Sequence, residues 1–106
     1  MVVTVLELGW HLRRRLSEVY AGRLKQCRLF GSYARGEADD ESDLDVLIVL
    51  DRVDHYAAEI DRTGQLVSDL SLAHEVSISP VFISEWDWLH GDTTFLANVR
   101  EEAVPA

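Results

Sequence analysis

The amino-acid sequence predicts a small α/β (α+β) domain in which helices flank a mixed sheet. The first observation is an alternation of segments along the chain, in the order helix, strand, helix, strand, helix, strand, helix. The second is the apolar run at residues 44–50, which is typical of a strand covered on both faces. The third is size, because 106 residues with 47% apolar side chains suit one compact domain. We therefore expect residues 1–106 to form a single domain, without the second domain of a larger enzyme.

The first half of the chain contains two helical and two strand-like segments. Between residues 5 and 20, apolar side chains recur at three- and four-residue intervals, as on one face of a helix: Val5, Leu8, Leu12, Leu16, Val19 and Tyr20. The arginine triplet at residues 13–15 lies on the opposite face, which we interpret as solvated, with contact to an acidic partner as the alternative. Residues 24–30 predict a short strand, and a short helix can follow before the polar run at 37–41. Residues 44–50 form the clearest strand.

The second half begins with a longer helix and a third strand. Residues 55–72 have apolar side chains at helical spacing, although Gly64 weakens the middle of this segment. Alternating apolar and polar residues predict a strand over residues 75–83. Pro80 lacks the amide hydrogen that a central strand would need, so we expect this strand at an edge of the sheet or Pro80 near its end.

A last helical segment completes the predicted order. Ser84 is a suitable N-cap residue, so we place the start of this segment there. Its apolar face extends to about Glu102, and Gly91 with Asp92 is expected to interrupt it.

The charge of the chain is strongly negative overall but unevenly distributed. Ten basic and nineteen acidic residues give a net charge of -9, so binding of duplex DNA through a broad basic face is disfavoured. Residues 1–36 carry a net charge of +5, whereas residues 37–106 carry -14. Such a division suits a site that binds phosphate on one side and a metal cation on the other, although charged faces are also commonly just solvated.

The single cysteine and the opening segment argue for a soluble cytoplasmic protein. Cys27 cannot form an internal disulfide, and we expect it to be a small buried side chain. The apolar stretch at residues 1–10 is too short to span a bilayer, and its basic run follows the apolar part instead of preceding it as in a signal peptide.

Two acidic residues, Asp43 and Asp45, are the centre of the candidate site. Residues two apart on a strand project to the same face, with Cα atoms roughly 6.5–7 Å apart, so both carboxylates can reach a shared divalent cation. Hard oxygen ligands of this kind favour magnesium or manganese. The alternative is a solvated loop, where this spacing of aspartates is also common.

A glycine turn precedes the acid pair. Gly31 permits a positive φ and a close approach of the backbone to a ligand, and Ser32 with the amides of the turn can donate to phosphate oxygens. Arg35 follows one helical turn later and could bind a phosphate with two hydrogen bonds. The alternative for Arg35 is an ion pair with Glu37 or Asp39.

Together these motifs resemble a known superfamily. Gly31 and Ser32, then ten residues, then Asp43-Leu44-Asp45 and an apolar strand resemble the nucleotidyltransferases typified by DNA polymerase beta. More narrowly, the segment GSYARGEADDESDLDVLIVL resembles the minimal nucleotidyltransferase (MNT) family of small single domains. The resemblance extends to FLANVREEAV near the end of the sequence, and so covers most of residues 1–106.

The resemblance implies a magnesium-dependent enzyme. Asp43 and Asp45 would hold two Mg²⁺ ions, and Gly31 and Ser32 would bind the β and γ phosphates of a nucleoside triphosphate. Members of the superfamily often carry a third carboxylate on the next strand. We expect Glu75 in this catalytic and metal-binding role because it opens the third predicted strand, with Ser77 as the alternative position at which the acid has been lost.

Histidine and tryptophan residues are weaker candidates. The four histidines lack metal-ligand spacing and are expected at the surface or core edge: His11, His55, His74 and His90. The three tryptophans could stack on a base, but on helix faces they more commonly pack in a core or an interface: Trp10, Trp86 and Trp88.

The small size of the domain points to an acceptor on another chain. Stand-alone members of the MNT family resemble the antitoxin of toxin–antitoxin pairs, whose partner is a ribonuclease of the HEPN class. The resemblance implies transfer of AMP from ATP to a tyrosine hydroxyl of that partner. We expect the two chains to form a hetero-oligomer, and we expect neither a membrane nor duplex DNA as a partner. The alternative is a non-catalytic antitoxin that neutralises its partner by contact. An aminoglycoside-type enzyme is disfavoured because no second domain would hold a sugar.

Overall fold

A computed structural model describes residues 5–106 of the chain, and residues 1–4, the start of the apolar stretch at 1–10, lie outside the described part. The elements are α1 (Val5–Tyr20), β1 (Leu24–Phe30), α2 (Gly31–Arg35), β2 (Leu44–Leu50), α3 (Tyr56–His74), β3 (Ile78–Ser84), α4 (Glu85–His90), α5 (Thr94–Glu102) and β4 (Val104–Pro105). The predicted alternation of helices and strands is confirmed, and the last helical segment is interrupted after His90 as expected. The short strand β4 was not predicted. No helix within residues 5–106 combines the length and the apolarity needed to cross a membrane.

The four strands form one mixed sheet in the order β3-β2-β1-β4. Strand β1 is antiparallel to β2 and β4, whereas β2 is parallel to β3. The parallel pair requires a crossover, which α3 provides. Strand β3 lies at the edge of the sheet, as expected, and within residues 5–106 it pairs only with β2. An edge strand has no second neighbour to which Pro80 would need to donate a hydrogen bond.

Strand β2 is buried on both faces, as its apolar sequence predicts. Alternate residues project to opposite sides of a strand. Leu44, Val46, Ile48 and Leu50 join a core cluster with residues of α1 and α3. Leu47 and Val49 join a smaller cluster with Trp88 of α4 and with Leu96 and Val99 of α5. Helices therefore cover both faces of the sheet, and α5 reaches the face toward which Asp45 projects.

Helix α1 confirms the amphipathic pattern of its sequence. Leu8, Leu12 and Leu16 are almost completely buried, while Arg13 and Arg14 on the opposite face are exposed to solvent. The interpretation of the arginine triplet as a solvated face is thus supported for these two residues. Cys27 is 2% exposed, in agreement with its predicted burial.

A buried polar contact joins α1 to α3. The Tyr20 hydroxyl donates a hydrogen bond of 2.7 Å to Oε1 of Glu59, a carboxylate that Arg62 also contacts. Burial, and secondly the hydrogen bond to Glu59, raise the pKa of Tyr20 above its ordinary value. The hydroxyl therefore remains a donor, and the buried carboxylate keeps its partners.

The two-sided burial of β2 makes a testable prediction. Replacing Leu47 by Ala opens a cavity beneath α4 and α5, so we expect a loss of about 3 kcal/mol in the free energy of unfolding. The matched control is Leu72→Ala, because Leu72 is 77% exposed and should change stability by less than about 0.5 kcal/mol. Urea denaturation followed by circular dichroism measures both values. Equal effects of the two substitutions would contradict the packing described.

Candidate active site

The acid pair lies at the start of β2. Asp43 precedes the strand and is exposed, and Asp45 is its second residue and is partly buried. Leu44 between them is fully buried, and its amide donates to the carbonyl oxygen of Ser77 at 2.8 Å. Asp45 shares its side of the strand with Leu47, so it projects toward the face covered by α5.

Asp45 occupies an environment that opposes its negative charge. Its pKa is raised above the ordinary value chiefly by burial, then by the nearby charge of Asp43 and also by Glu102, while Arg35 acts in the opposite direction. A divalent cation would remove this repulsion. Mg²⁺ commonly binds one or two carboxylates and takes its other ligands from phosphates and water, so the two aspartates fit such an ion.

Gly31 places the start of α2 against the acid pair. Its φ is +76°, in the left-handed region that glycine favours. A Cβ atom at this position would overlap Oδ2 of Asp45 and lie 3.1 Å from its Cγ. Only glycine therefore allows the turn to pack this closely against the carboxylate. Ser32 follows directly and is partly buried, and its hydroxyl forms no hydrogen bond with another residue that the structure describes.

Two donors of this turn are bound by a carboxylate from α5. The Gly31 amide donates to Oε2 of Glu102 at 2.6 Å, and Nη1 of Arg35 donates to the same oxygen at 2.9 Å. Nε of Arg35 donates to Glu37 at 2.6 Å, which is the ion pair that we considered as an alternative for this arginine. Glu102 was missed because it lies 71 residues from Gly31 in the sequence.

The turn, Asp45 and one face of α5 enclose a cavity of about 370 Å³. Its lining residues come from β1, α2, β2 and α5: Phe30, Gly31, Ser32, Arg35, Asp45, Phe95, Asn98, Val99 and Glu102. Four of the predicted site residues thus line one cavity: Gly31, Ser32, Arg35 and Asp45. The spacing of Phe95, Asn98 and Glu102, at intervals of three and four, indicates that they share one helix face, but it does not show that this face reaches Asp45.

Glu75 does not occupy the predicted position. Helix α3 continues to His74, and Glu75 ends it with a positive φ of 54°, whereas β3 begins only at Ile78. The expectation that Glu75 opens the third strand is therefore wrong. Ser77, the alternative position, is the residue whose carbonyl contacts Leu44 between the two aspartates. Within residues 5–106, no three His, Cys, Asp or Glu side chains form a group that could hold a metal ion.

The tryptophans and histidines do not line the cavity. Trp88 is buried in the small cluster under α4 and α5, whereas Trp10 and Trp86 are more than half exposed. The His90 ring stacks on Trp86, and His11 contacts Trp10. These residues therefore lie outside the candidate site.

Known proteins are similar to this chain in sequence. The family model described as a nucleotidyltransferase domain matches residues 11–101. The Methanocaldococcus jannaschii protein named "Putative protein adenylyltransferase MJ0141" is 34% identical over 77 residues, which represent 73% of this chain and 77% of that protein.

Solved structures of toxin–antitoxin pairs have a similar fold. A chain of a toxin–antitoxin crystal structure with AMP-PNP superposes with a TM-score of 0.58 at 22% identity, covering 90% of this chain and 69% of that chain. A chain from the tri-AMPylated Shewanella oneidensis HEPN toxin in complex with its MNT antitoxin superposes with a TM-score of 0.53 at 20% identity, covering 93% and 69%. At these identities the likeness concerns the fold, and the predicted mixed sheet with flanking helices agrees with it.

The raised pKa of Asp45 predicts how stability depends on pH. The native chain retains the Asp45 proton more tightly than the unfolded chain, so this contribution to stability is complete below about pH 3.9 and is lost as pH rises through the raised pKa. We expect the stability of the wild type, relative to Asp45→Asn, to decrease as the pH is raised from about 4 toward neutral. We also expect Mg²⁺ at neutral pH to stabilise the wild type more than this variant.

Urea denaturation across this pH range, with and without Mg²⁺, measures both effects. Asp61→Asn is the control, because Asp61 is exposed on α3 and its substitution makes the same change of charge as Asp45→Asn. A stability difference between wild type and Asp45→Asn that increases with pH would contradict the environment described for Asp45.

Proposed function

We propose that this chain, which belongs to the nucleotidyltransferase domain family, is a protein adenylyltransferase that transfers AMP from ATP to a hydroxyl group of a partner protein. The observation that carries the proposal is the close approach of Gly31 to Asp45, because it brings the turn proposed to bind phosphate and one acid of the proposed metal-binding pair into the same cavity. The family match over residues 11–101 and the identity to a protein named as an adenylyltransferase support it.

Asp43 and Asp45 would hold the metal, for which Mg²⁺ is our proposal. When bound, it would supply positive charge beside the reacting phosphorus, where negative charge increases in the transition state. The raised pKa of Asp45 supports this assignment, since a carboxylate in an unfavourable environment gains most from a cation. Glu75 is not among the proposed metal ligands, because it is an exposed residue at the end of α3 and does not lie on the third strand.

The glycine turn would bind the phosphates. Ser32 offers a hydroxyl that has no hydrogen-bond partner within residues 5–106, and Gly31 and Ser32 at the start of α2 both line the cavity. The amides of such a turn can donate to phosphate oxygens. Arg35 supplies a guanidinium that can hold a phosphate with two hydrogen bonds. These groups would keep the α phosphorus in line with the acceptor and the pyrophosphate.

In the proposed reaction, the oxygen of the acceptor hydroxyl forms a bond to the α phosphorus of ATP. The bond between that phosphorus and the oxygen bridging to the β phosphate breaks, pyrophosphate leaves, and the hydroxyl proton passes to solvent. The protein forms no covalent intermediate, so its residues act by positioning and by electrostatic stabilisation.

The acceptor that we propose is a tyrosine of a HEPN-class toxin, with this chain as its antitoxin. Asp43 is exposed, so a hydroxyl on a separate protein can approach the acid pair from solvent. The AMP-bearing HEPN toxin in the structure of similar fold is the support for this class of partner. A non-catalytic antitoxin is the second candidate, and the absence of a group of three metal-binding side chains within residues 5–106 favours it.

The function can be tested by AMP transfer. We expect a HEPN-class toxin that co-purifies with this chain to gain the mass of AMP when the two are incubated with ATP and Mg²⁺, and to stay unmodified when Mg²⁺ is chelated. Asp43→Asn should lower the rate at least about 100-fold, since it removes a metal-binding carboxylate. Replacement of the modified tyrosine of the partner by Phe should abolish transfer.

The matched control is Asp40→Asn in the exposed loop before β2, which makes the same change of charge at a residue that does not belong to the acid pair. Undiminished transfer by Asp43→Asn would contradict the proposal. If Asp43→Asn lacks transfer but still protects cells from the toxin, the non-catalytic antitoxin is the correct function.

Glu102 allows a second test of the same assignment. Its carboxylate uses the Gly31 amide and Arg35, the two donors proposed for phosphate. Glu102→Gln removes this competing negative charge, and we expect ATP to bind about fivefold more tightly, equivalent to about 1 kcal/mol for one partly exposed charge pair.

Isothermal titration with ATP and Mg²⁺ measures this change. Glu101→Gln is the control, because Glu101 is exposed on the same helix and outside the cavity. Weaker binding by Glu102→Gln would mean that the carboxylate holds the turn in its binding conformation and does not compete with phosphate.

A further inference from the structure

We propose that Phe95 and Asn98 of α5 form the nucleobase subsite, in which Phe95 stacks on the base and Asn98 hydrogen-bonds to the edge of adenine. The inference rests on the proposed function, because it takes the bound molecule to be a nucleoside triphosphate. It concerns residues that neither the acid pair nor the glycine turn includes.

One face of α5 extends from the turn to the opposite end of the cavity. Phe95, Asn98 and Glu102 are spaced by three and four residues, so they lie on the same side of the helix. Glu102 marks the phosphate end, because it contacts the Gly31 amide and Arg35. Seven residues of helix separate Phe95 from Glu102, a distance of roughly 10 Å along the axis. A nucleotide whose phosphates lie at the turn can therefore extend along this face.

Phe95 has a fixed ring on the wall of the cavity. The ring is 45% exposed and meets the ring of Phe30 at an interplanar angle of 85°, with the centroids 5.6 Å apart. This perpendicular contact with a buried neighbour orients the Phe95 ring. An aromatic side chain held in this way can stack on a base with little loss of conformational entropy.

Phe95 also borders a second, mainly apolar cavity of about 370 Å³. That cavity is lined in part by Val81 and Ile83 of β3 and by Leu96 of α5. Phe95 therefore lies between the polar cavity, which Asp45 lines, and an apolar one. A nucleoside triphosphate has the same division, because its phosphates are charged and its base is a flat, largely apolar ring system.

Asn98 supplies a hydrogen-bonding group at the base end. Its side chain is exposed, lines the cavity and forms no hydrogen bond with any other residue that the structure describes. The amide group carries donors and an acceptor. Adenine presents a matching donor and acceptor on its edge, and asparagine is the residue that pairs with them in protein–DNA recognition. Asn98 thus favours adenine over guanine.

Binding of three ligands tests the subsite: ATP, GTP and inorganic tripolyphosphate, which has no base. We expect Phe95→Leu to weaken ATP binding about tenfold and to change tripolyphosphate binding by less than about twofold. Phe95→Tyr, which retains the ring, should bind ATP like the wild type. Asn98→Ala should lower the preference for ATP over GTP about tenfold.

Leu89→Ala is the control, because Leu89 is an exposed apolar residue of α4 and lines neither cavity. Equal loss of ATP and tripolyphosphate binding in Phe95→Leu would overturn the inference, since it would indicate damage to the whole cavity. An unchanged ATP affinity with a raised KM for the acceptor protein would also overturn it and would assign Phe95 to the acceptor. Wild-type binding of tripolyphosphate as tight as that of ATP would overturn the subsite alone, while absence of any ATP binding would overturn the proposed function as well.

Discussion

The close packing of Gly31 against Asp45 is the constraint on which the site depends. The antiparallel register places Phe30 opposite Asp45, so the next residue of β1 must turn directly beside the carboxylate. A side chain at Gly31 would overlap Oδ2 of Asp45, and the positive φ of the turn is one that glycine favours. The turn proposed to bind phosphate and the acid proposed to bind metal therefore line one cavity only because this position lacks a Cβ atom.

The charged side chains around Asp45 suit a bound ligand better than an empty cavity. Asp43 and Glu102 both raise the pKa of Asp45, and Arg35 alone among its named neighbours opposes them. Glu102 in turn occupies the Gly31 amide and Arg35. A cation at the aspartates would offset the repulsion between their negative charges. Phosphates at the turn would accept hydrogen bonds from the Gly31 amide and Arg35 in place of Glu102.

Local sequence patterns predicted the candidate site residues that lie close to one another along the chain. The spacing of Asp43 and Asp45, and the apolar run that follows, predicted a strand at the acids, and β2 begins at Leu44, so that Asp45 lies on it and Asp43 just before it. The family match confirms the resemblance that these motifs carry. Glu75 was misplaced because alternation of side chains does not show that α3 continues to His74 and that Glu75 ends it in the left-handed conformation. Glu102 was missed because its contact with Gly31 joins residues 71 positions apart.

The sequence alone predicted the order of the helices and of the three longer strands, the burial of β2 on both faces, and the turn and the two acids of the candidate site. These features follow from side-chain periodicity and from the conformational freedom of one glycine, which act over a few residues. The tertiary structure decided that Phe95, Asn98 and Glu102 of α5 line the same cavity as Asp45, and that β4, which follows α5, pairs with β1. Such contacts depend on how the layers pack, and no local pattern encodes which face of a distant helix reaches a given strand.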